Sequence, residues 1–325
     1  MKITYAQAIR SAFQYLLKTY PNVFVMGQGL WSPWYVGNSM NDLEVEFGKD
    51  RVMDTPVSEA ACTGAGIGAS LCGYRPIVVH PRMDFMILAM DQIVNQAAKW
   101  SHMLGGETHP AVTIRGVINR GGEQGAQHSQ ALHAWFAHIP GLRVVMPATV
   151  LDARDLLISA VLSDDPVIYI DDRWLYELED DLPEIEEKDL SLQLPKILRN
   201  GQDATLAASG YSVQLCLEAA QALSEEGIQC EVVDLRVLNP LNVTSIIDSV
   251  SKTGSLCVVD GGWESCGMAG EVIASVAVQM SQSSKNIQYK RITLPNAPAP
   301  SSKVLEDIYY PTRETIVQVI KEWNI

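Results

Sequence analysis

Short apolar, β-branched runs alternate with longer stretches of helical periodicity along the whole chain. In the first half the runs are Val23-Phe24-Val25-Met26, Pro76-Ile77-Val78-Val79, Ala111-Val112-Thr113-Ile114-Arg115, Leu142-Arg143-Val144-Val145-Met146 and Val167-Ile168-Tyr169-Ile170. They are continuous rather than alternating, which predicts strands covered on both faces, as in a parallel sheet. Residues 84–100 and 150–162 carry the 3.6-residue period and predict helices between them. The same alternation restarts after residue 190, with strands predicted at Ala204-Thr205-Leu206-Ala207-Ala208, Cys230-Glu231-Val232-Val233-Asp234-Leu235 and Ser255-Leu256-Cys257-Val258-Val259-Asp260, and a helix over 212–226. The expected fold class is α/β, with two domains, each a mainly parallel sheet with helices on both faces. Between them, 177–189 holds eight acidic residues against the single Lys188. This stretch reads as a solvated linker rather than an acidic docking site. The expected boundaries are a first domain over 1–180, an acidic linker over 181–195 and a second domain over 196–325. The halves share an architecture but no sequence repeat.

Length and charge narrow the function. A chain of 325 residues suffices for two buried cores. Its 24 basic residues against 38 acidic ones give a net charge of −14, which argues against nucleic acid and against an anionic membrane surface as partners. No apolar run reaches the ~18 residues a membrane span needs. The longest, from Ala60 to Gly73, is interrupted by Thr63 and Ser70. The first residues carry no secretory core, and the six cysteines include no Cys-x-x-Cys pair, so free thiols in a reducing cytoplasm are expected. No Cys or His spacing suggests a metal site.

Three segments carry candidate chemistry. In Asp54-Thr55-Pro56-Val57-Ser58-Glu59, Pro56 keeps Thr55 extended and Ser58 is a plausible N-cap, which puts Glu59 in the first turn of a helix. The helix continues with Gly64, Gly66 and Gly68 and stripes of alanine. Interior glycines cost about 1 kcal/mol each relative to alanine, so this smooth face predicts a close helix–helix contact, in the core or between subunits. The second segment, Gly121-Gly122-Glu123-Gln124-Gly125-Ala126-Gln127-His128-Ser129-Gln130, reads as a loop that brings backbone to a ligand. His128, beside Gln127, is its candidate reactive group. His133 and His138 follow on a predicted helix and read as structural. The third segment, His80-Pro81-Arg82-Met83-Asp84-Phe85, follows a predicted strand, where ligands of open α/β sheets sit. Phe85 is either core or a stacking platform, and Arg82 either a solvated charge or an anion clamp. No dinucleotide fingerprint, phosphate-binding loop or serine nucleophile elbow occurs.

Taken together, these segments resemble a known family. Its motifs here are Asp54-Thr55-Pro56-Val57-Ser58-Glu59, Met90-Asp91-Gln92-Ile93-Val94-Asn95-Gln96-Ala97-Ala98-Lys99, Ala126-Gln127-His128-Ser129-Gln130, Ala134-Trp135-Phe136-Ala137-His138, Asp260-Gly261-Gly262-Trp263 and Leu305-Glu306-Asp307. Along nearly its whole length the chain resembles the beta subunits of the thiamine-diphosphate-dependent component of 2-oxoacid dehydrogenase complexes, pyruvate and branched-chain types, within the transketolase-like enzymes. The resemblance implies a pyrimidine-binding domain followed by a C-terminal α/β domain. It also implies thiamine diphosphate as cofactor, with the diphosphate and Mg²⁺ held by a separate alpha chain in an α2β2 heterotetramer. A lipoyl acyltransferase core is the further partner it suggests.

The same resemblance assigns residues. Glu59 matches the catalytic glutamate that hydrogen-bonds the pyrimidine ring nitrogen, Phe85 an aromatic that packs on that ring, and His128 a substrate-side histidine that positions the acceptor or transfers protons. Gln127 stands beside it, and Gln28 lies on the cofactor side. Three stretches depart from the family pattern: Gln28 where an acidic residue is usual, His80-Pro81-Arg82, and Gly121-Gly122-Glu123-Gln124. Placed near the reacting centre, His80 and Arg82 would suit a larger polar or anionic donor better than pyruvate. The expected activity is oxidative decarboxylation of a 2-oxoacid with acyl transfer to lipoyl. One alternative is a split transketolase-like enzyme that moves a ketol or acyl unit onto a sugar or other metabolite without a lipoyl complex. Another is a scaffold subunit whose cofactor role has decayed.

Overall fold

The computed structural model describes residues 2–284 and 286–323, so Asn324 and Ile325 at the end of the second domain lie outside the described residues. The chain divides into two compact units, one of residues 1–119 and 135–193, the other of residues 120–134 and 194–325.

In the first unit six parallel strands lie side by side in the order Arg143–Val145, Val167–Asp172, Thr113–Ile118, Arg75–His80, Val23–Gly27, Val52–Asp54. Apart from the edge strand Val52–Asp54, the strands are buried except for Phe24 and the first residues Arg75 and Arg143, which is why they read as continuous apolar runs. The sheet also buries one cation. Arg115 donates to both carboxylate oxygens of Asp171, at 2.8 and 2.9 Å, and its guanidinium reaches Ser39 and the Tyr176 hydroxyl. A buried charge is tolerated only when paired and hydrogen-bonded in this way.

Helix Tyr5–Thr19 opens with a capping box between Thr4 and Gln7 and buries Tyr5, Ala8, Ile9, Ala12, Phe13 and Leu16, the stripe its periodicity requires. Helix Val150–Leu162 is capped by Thr149 and has the bounds its sequence predicts.

Two regions differ from expectation. Where the periodicity predicts one helix over 84–100, the chain instead forms a turn of α-helix at Met83–Met86, a 3₁₀ turn at Ile87–Ala89, a π-helix at Gln92–Ala97 and a last turn at Trp100–Met103. Side chains brace the widened turns: Asn95 donates to Asp91 and the Trp100 indole to Gln96. The acidic stretch keeps its eight carboxylates exposed, as a solvated linker does, but its chain is pinned along the first unit. Glu179–Asp180 pairs with Ile3–Thr4, Glu187 accepts from the Tyr15 and Tyr20 hydroxyls, and Arg154 donates to the carbonyls of Pro183 and Glu184.

The second unit is a five-stranded sheet in the order Gln288–Leu294, Ser255–Trp263, Ala204–Ala208, Cys230–Asp234, Lys196–Arg199, with the last strand antiparallel. Helix Tyr211–Glu225 matches the expectation within a residue. Lys196–Arg199 and Gln288–Leu294 are missed by the apolar pattern because they are edge strands rich in Lys, Arg and Gln.

The glycine-rich helix spans Glu59–Ser70. Its smoothness is explained in part by the sheet: a Cβ at Gly66 would lie 2.6 Å from the Val78 methyl, and one at Gly64 would touch Gln92 at 3.5 Å. Gly68 faces open space within this chain, and Ala61 and Ala65 are exposed beside it. The close helix–helix contact expected from all three glycines therefore reduces, within the chain, to packing at Gly66 and Gly64. Gly66→Ala is expected to destabilise the purified chain by about 1–3 kcal/mol through overpacking against a rigid β-branched neighbour. Gly68→Ala is expected to leave it unchanged or to stabilise it by up to about 1 kcal/mol. Urea unfolding of the two variants measures the difference.

Candidate active site

Strands Val23–Gly27 and Arg75–His80 are neighbours, yet the chain continues from them to opposite sides of the sheet: from the first to Val52–Asp54 at one edge, from the second toward Thr113–Ile118. Such a switch point opens a crevice at the carboxyl ends of the strands. A cleft of about 100 Å³ lies there, lined by Gly27, Gln28, Tyr35, Thr55, Pro56, Ser58, Glu59, Cys62, Val78, Val79, His80, Pro81, Arg82 and Phe85. Gly27 is required by the closeness of the two strands, since a Cβ there would sit 2.3 Å from the Val79 carbonyl oxygen.

Glu59 enters the cleft as the first residue of its helix. Ser58 occupies the N-cap position but, at φ −159° and ψ 69°, makes no side-chain capping bond, contrary to expectation. Its carbonyl accepts the first helical bond from Cys62 at 2.9 Å. One turn along the same face, Thr63 hydrogen-bonds His80 Nε2 at 3.1 Å, which ties the helix to the end of strand Arg75–His80. On the other side Asp54 accepts from the Gly29 amide at 2.6 Å, and Thr55 donates to the Gly27 carbonyl. Glu59 is thus held at both ends of its approach by contacts that do not involve its own carboxylate.

The five first-domain residues singled out from the sequence, Gln28, Glu59, His80, Arg82 and Phe85, all line this cleft. Phe85 is 37% exposed, so its ring is a surface rather than a core element. Arg82 is half-buried. Burial pulls its pKa down, the neighbouring Asp84 pushes it up, and Arg173 adds to the lowering. Asn119 presents its amide oxygen to the Arg82 guanidinium at 3.0 Å. His80 is nearly inaccessible, and burial pushes its pKa down to about 4. It is neutral at pH 7 and adds no charge for an anionic donor, so Arg82 carries the positive charge of the lining. Tyr35, which the sequence reading passed over, supplies a second aromatic wall. Arg173 fixes its backbone by donating to the carbonyls of Trp34 and Tyr35.

His128 and Gln127 stand on a loop of the second unit, His128 partly buried and Gln127 exposed, with the His128 amide donating to the Gly125 carbonyl at 3.3 Å. His133, in the same unit, is fully buried and hydrogen-bonded to Asp260 at 2.8 Å, a structural role as expected.

A planar nitrogen heterocycle fits the cleft's donor set. Two aromatic side chains and apolar Val78, Val79, Pro56 and Pro81 offer flat contact, and among the described residues no hydrogen bond or ion pair within the chain engages the Glu59 carboxylate. No group of three or more His, Cys, Asp or Glu side chains among the described residues is arranged to hold a metal ion.

A doubly wound domain with this cleft, followed by a second, smaller and mainly parallel α/β domain, defines a class of two-domain α/β proteins. The family described as the pyrimidine-binding domain of transketolase matches residues 1–177, and the transketolase C-terminal domain matches residues 195–316. The chain belongs to the transketolase family, within the beta subunits of thiamine-diphosphate-dependent 2-oxoacid dehydrogenases. The beta subunit of acetoin:2,6-dichlorophenolindophenol oxidoreductase from Cupriavidus necator is 42% identical over 84% of this chain and 80% of its own length. The protein of the same name from Bacillus subtilis is 37% identical over 98% of this chain and 96% of its own. The mitochondrial pyruvate dehydrogenase E1 beta subunit of Bos taurus is 34% identical over 99% and 90%. A solved split-gene transketolase, an inactive beta4 tetramer, aligns with a TM-score of 0.76 over 98% of this chain and 97% of that chain. At 21% identity this is a likeness of fold alone and does not favour the split-transketolase alternative.

The His80 environment predicts a pH effect. The unfolded chain binds a proton near pH 6.5 and the folded chain only near pH 4, so stability is lost as pH falls through that window. The loss assignable to this one group approaches about 3 kcal/mol. Replacing it by His80→Gln should flatten the stability profile between pH 6.5 and 4 relative to wild type. Parallel profiles for the two proteins would show that the histidine is not buried neutral.

Proposed function

We propose that the chain acts as the beta subunit of a thiamine-diphosphate-dependent dehydrogenase that oxidatively decarboxylates a 2-oxoacid and passes the acyl group to lipoyl. The observation that carries the reading is Glu59, at the head of a helix at the sheet's switch point, with Phe85 and Tyr35 lining the same cleft. When bound, thiamine diphosphate supplies the nucleophilic carbon and the electron sink for cleavage beside the donor carbonyl. In this reading Glu59 holds a proton at the pyrimidine ring nitrogen, an acid–base role worth about 10²–10⁴ in rate. Phe85 and Tyr35 offer their faces to the ring, and Gln28 its edge contacts. Arg82 attracts the donor's carboxylate. His128, with Gln127, orients the acceptor or moves protons at the substrate side.

An alpha chain is proposed to hold the diphosphate and Mg²⁺, in an α2β2 assembly, and a lipoyl acyltransferase core is the proposed acceptor. The names of the relatives, all beta subunits, support an alpha partner. A cytoplasmic setting goes with this reading, supported by six unpaired cysteines. Among the described residues no helix is long and apolar enough to cross a membrane.

A second reading concerns the donor. Two of the relatives are named for acetoin, a neutral hydroxyketone, and here the equivalent step would release no CO₂. The reconstituted αβ pair, assayed by dichlorophenolindophenol reduction and CO₂ release with pyruvate, branched 2-oxoacids and acetoin, separates the two. Turnover with a 2-oxoacid and stoichiometric CO₂ supports the first, and dye reduction by acetoin alone supports the second. Ketol transfer to an aldose with no dye reduction would overturn both. In the same assay Glu59→Gln is expected to lose at least ~100-fold in turnover while the pair still assembles. Unchanged turnover would remove Glu59 from the mechanism and restore the decayed-scaffold alternative.

A further inference from the structure

We propose that Glu306 is a positioning residue for His128, acting through a reciprocal pair of carboxylates that anchors the loop of residues 121–130 to helix Lys303–Tyr309. The inference rests on the reading of His128 as a substrate-side group. It adds the part of the chain that sets where that group stands.

Glu306 is 5% exposed, and both its carboxylate oxygens accept from the backbone amide of Glu123, at 2.9 and 3.0 Å. Glu123 answers: its Oε1 accepts from the amide of Lys303, the first residue of the helix that carries Glu306, at 3.2 Å. Each carboxylate thus satisfies a backbone donor on the other's segment. Each carboxylate takes a fixed N–H, a charge-assisted bond that holds its charge in place.

The loop needs this outside support. Gly121, Gly122, Glu123 and Gly125 have φ of +75°, +63°, +61° and +73°. Glycine adopts such values freely and so does not hold them, while glutamate adopts them at a cost of about 1–2 kcal/mol. A run of left-handed residues has no ladder of its own and takes its shape from its neighbours. Gly125 lies directly against Ser301, where a Cβ would meet the hydroxyl at 2.4 Å, and the Tyr310 phenol faces Ser129 and the backbone of Gly121. All these supports come from residues 301–310. The fixed segment passes straight into His128, whose amide is bonded to the Gly125 carbonyl. Releasing Glu123 therefore loosens the backbone that carries the histidine, three bonded neighbours beyond Gly125, without touching its side chain.

The test uses the complete chain assembled with its alpha subunit and measures Glu306→Ala, Glu306→Gln, His128→Ala and the Glu306→Ala/His128→Ala double variant. Glu306→Ala is expected to lower kcat by ~10-fold or more, with donor KM and thiamine diphosphate affinity within ~2-fold of wild type. Glu306→Gln, whose amide oxygen still accepts from Glu123, should stay within ~3-fold of wild type. In the His128→Ala background, Glu306→Ala should cost less than ~2-fold more, because the two act as one unit. A full, multiplicative loss in the double variant would overturn the positioning role, as would wild-type kcat in Glu306→Ala. Wild-type turnover in His128→Ala alone would instead overturn the parent reading, and the proposal with it. If Glu306→Ala does not fold, Glu306→Asp takes its place. It keeps the charge but withdraws the carboxylate by one methylene, and the same loss and the same lack of additivity are expected.

Discussion

The cleft depends on one close approach, that of Gly27 to the carbonyl of Val79 at the carboxyl ends of two adjacent parallel strands. The strands can lie this close only because residue 27 has no side chain. Their continuations then diverge, one toward Gln28 and Tyr35 and the other toward Pro81, Arg82 and Phe85, and the space between them is the site. A third strand, Val52–Asp54, delivers the helix that bears Glu59 to the same end of the sheet, and the Asp54–Gly29 hydrogen bond closes the join. A side chain at position 27 would push the sheet apart where the cleft floor is formed.

Within this frame the site separates holding from reacting. Thr63 and His80 brace the helix one turn past Glu59, and because burial keeps His80 uncharged, the brace adds no field that would compete with Arg82. The buried Arg115–Asp171 pair does the corresponding work behind Tyr35. It binds Ser39 and Tyr176, the Arg173 guanidinium packs over the Tyr176 ring, and Arg173 in turn fixes the backbone at Trp34 and Tyr35. Asp171 compensates the inner charge of Arg115, whereas among the described residues nothing within the chain engages the Glu59 carboxylate. That division suits the proposed role, in which the site recognises a neutral ring by shape and by a single proton.

The sequence made the buried strands legible because a strand covered on both faces has to be apolar throughout, as in Ile77-Val78-Val79 and Ile168-Tyr169-Ile170. It made Glu59 legible because Pro56 and Ser58 mark a helix start. It was silent on Lys196–Arg199 and Gln288–Leu294, since an edge strand half open to water has no apolar signature. The break in 84–100 escaped it for a different reason: the wider π turns cover only Gln92–Ala97, too short a run for their period to stand out from the 3.6-residue pattern, and the side-chain braces at Asp91 and Gln96 resemble ordinary helix-surface pairs. Tyr35 was hidden in the single helical turn Pro33–Val36, which is too short to show a period. Thr63 did carry a signal, standing four residues after Glu59 on the same helical face, but its partner His80 could be assigned only once the sheet order was known.

The loop that bears His128 shows where local reading of a sequence fails in principle. The chain leaves the first unit after Asn119, contributes residues 120–134 to the second and returns at Trp135. Its glycines announce flexibility, and flexibility is all that the local sequence encodes. What converts it into one conformation is a carboxylate 183 residues further on, together with a serine and a tyrosine on either side of it. Closing a contact over so long a separation costs chain entropy that only the folded second unit can offset. The histidine's position is therefore a property of the whole C-terminal domain. If His128 acts as proposed, this ties the proposed substrate-side group to Leu305-Glu306-Asp307, a segment that the sequence shows as a family motif but whose contact with the loop it does not reveal.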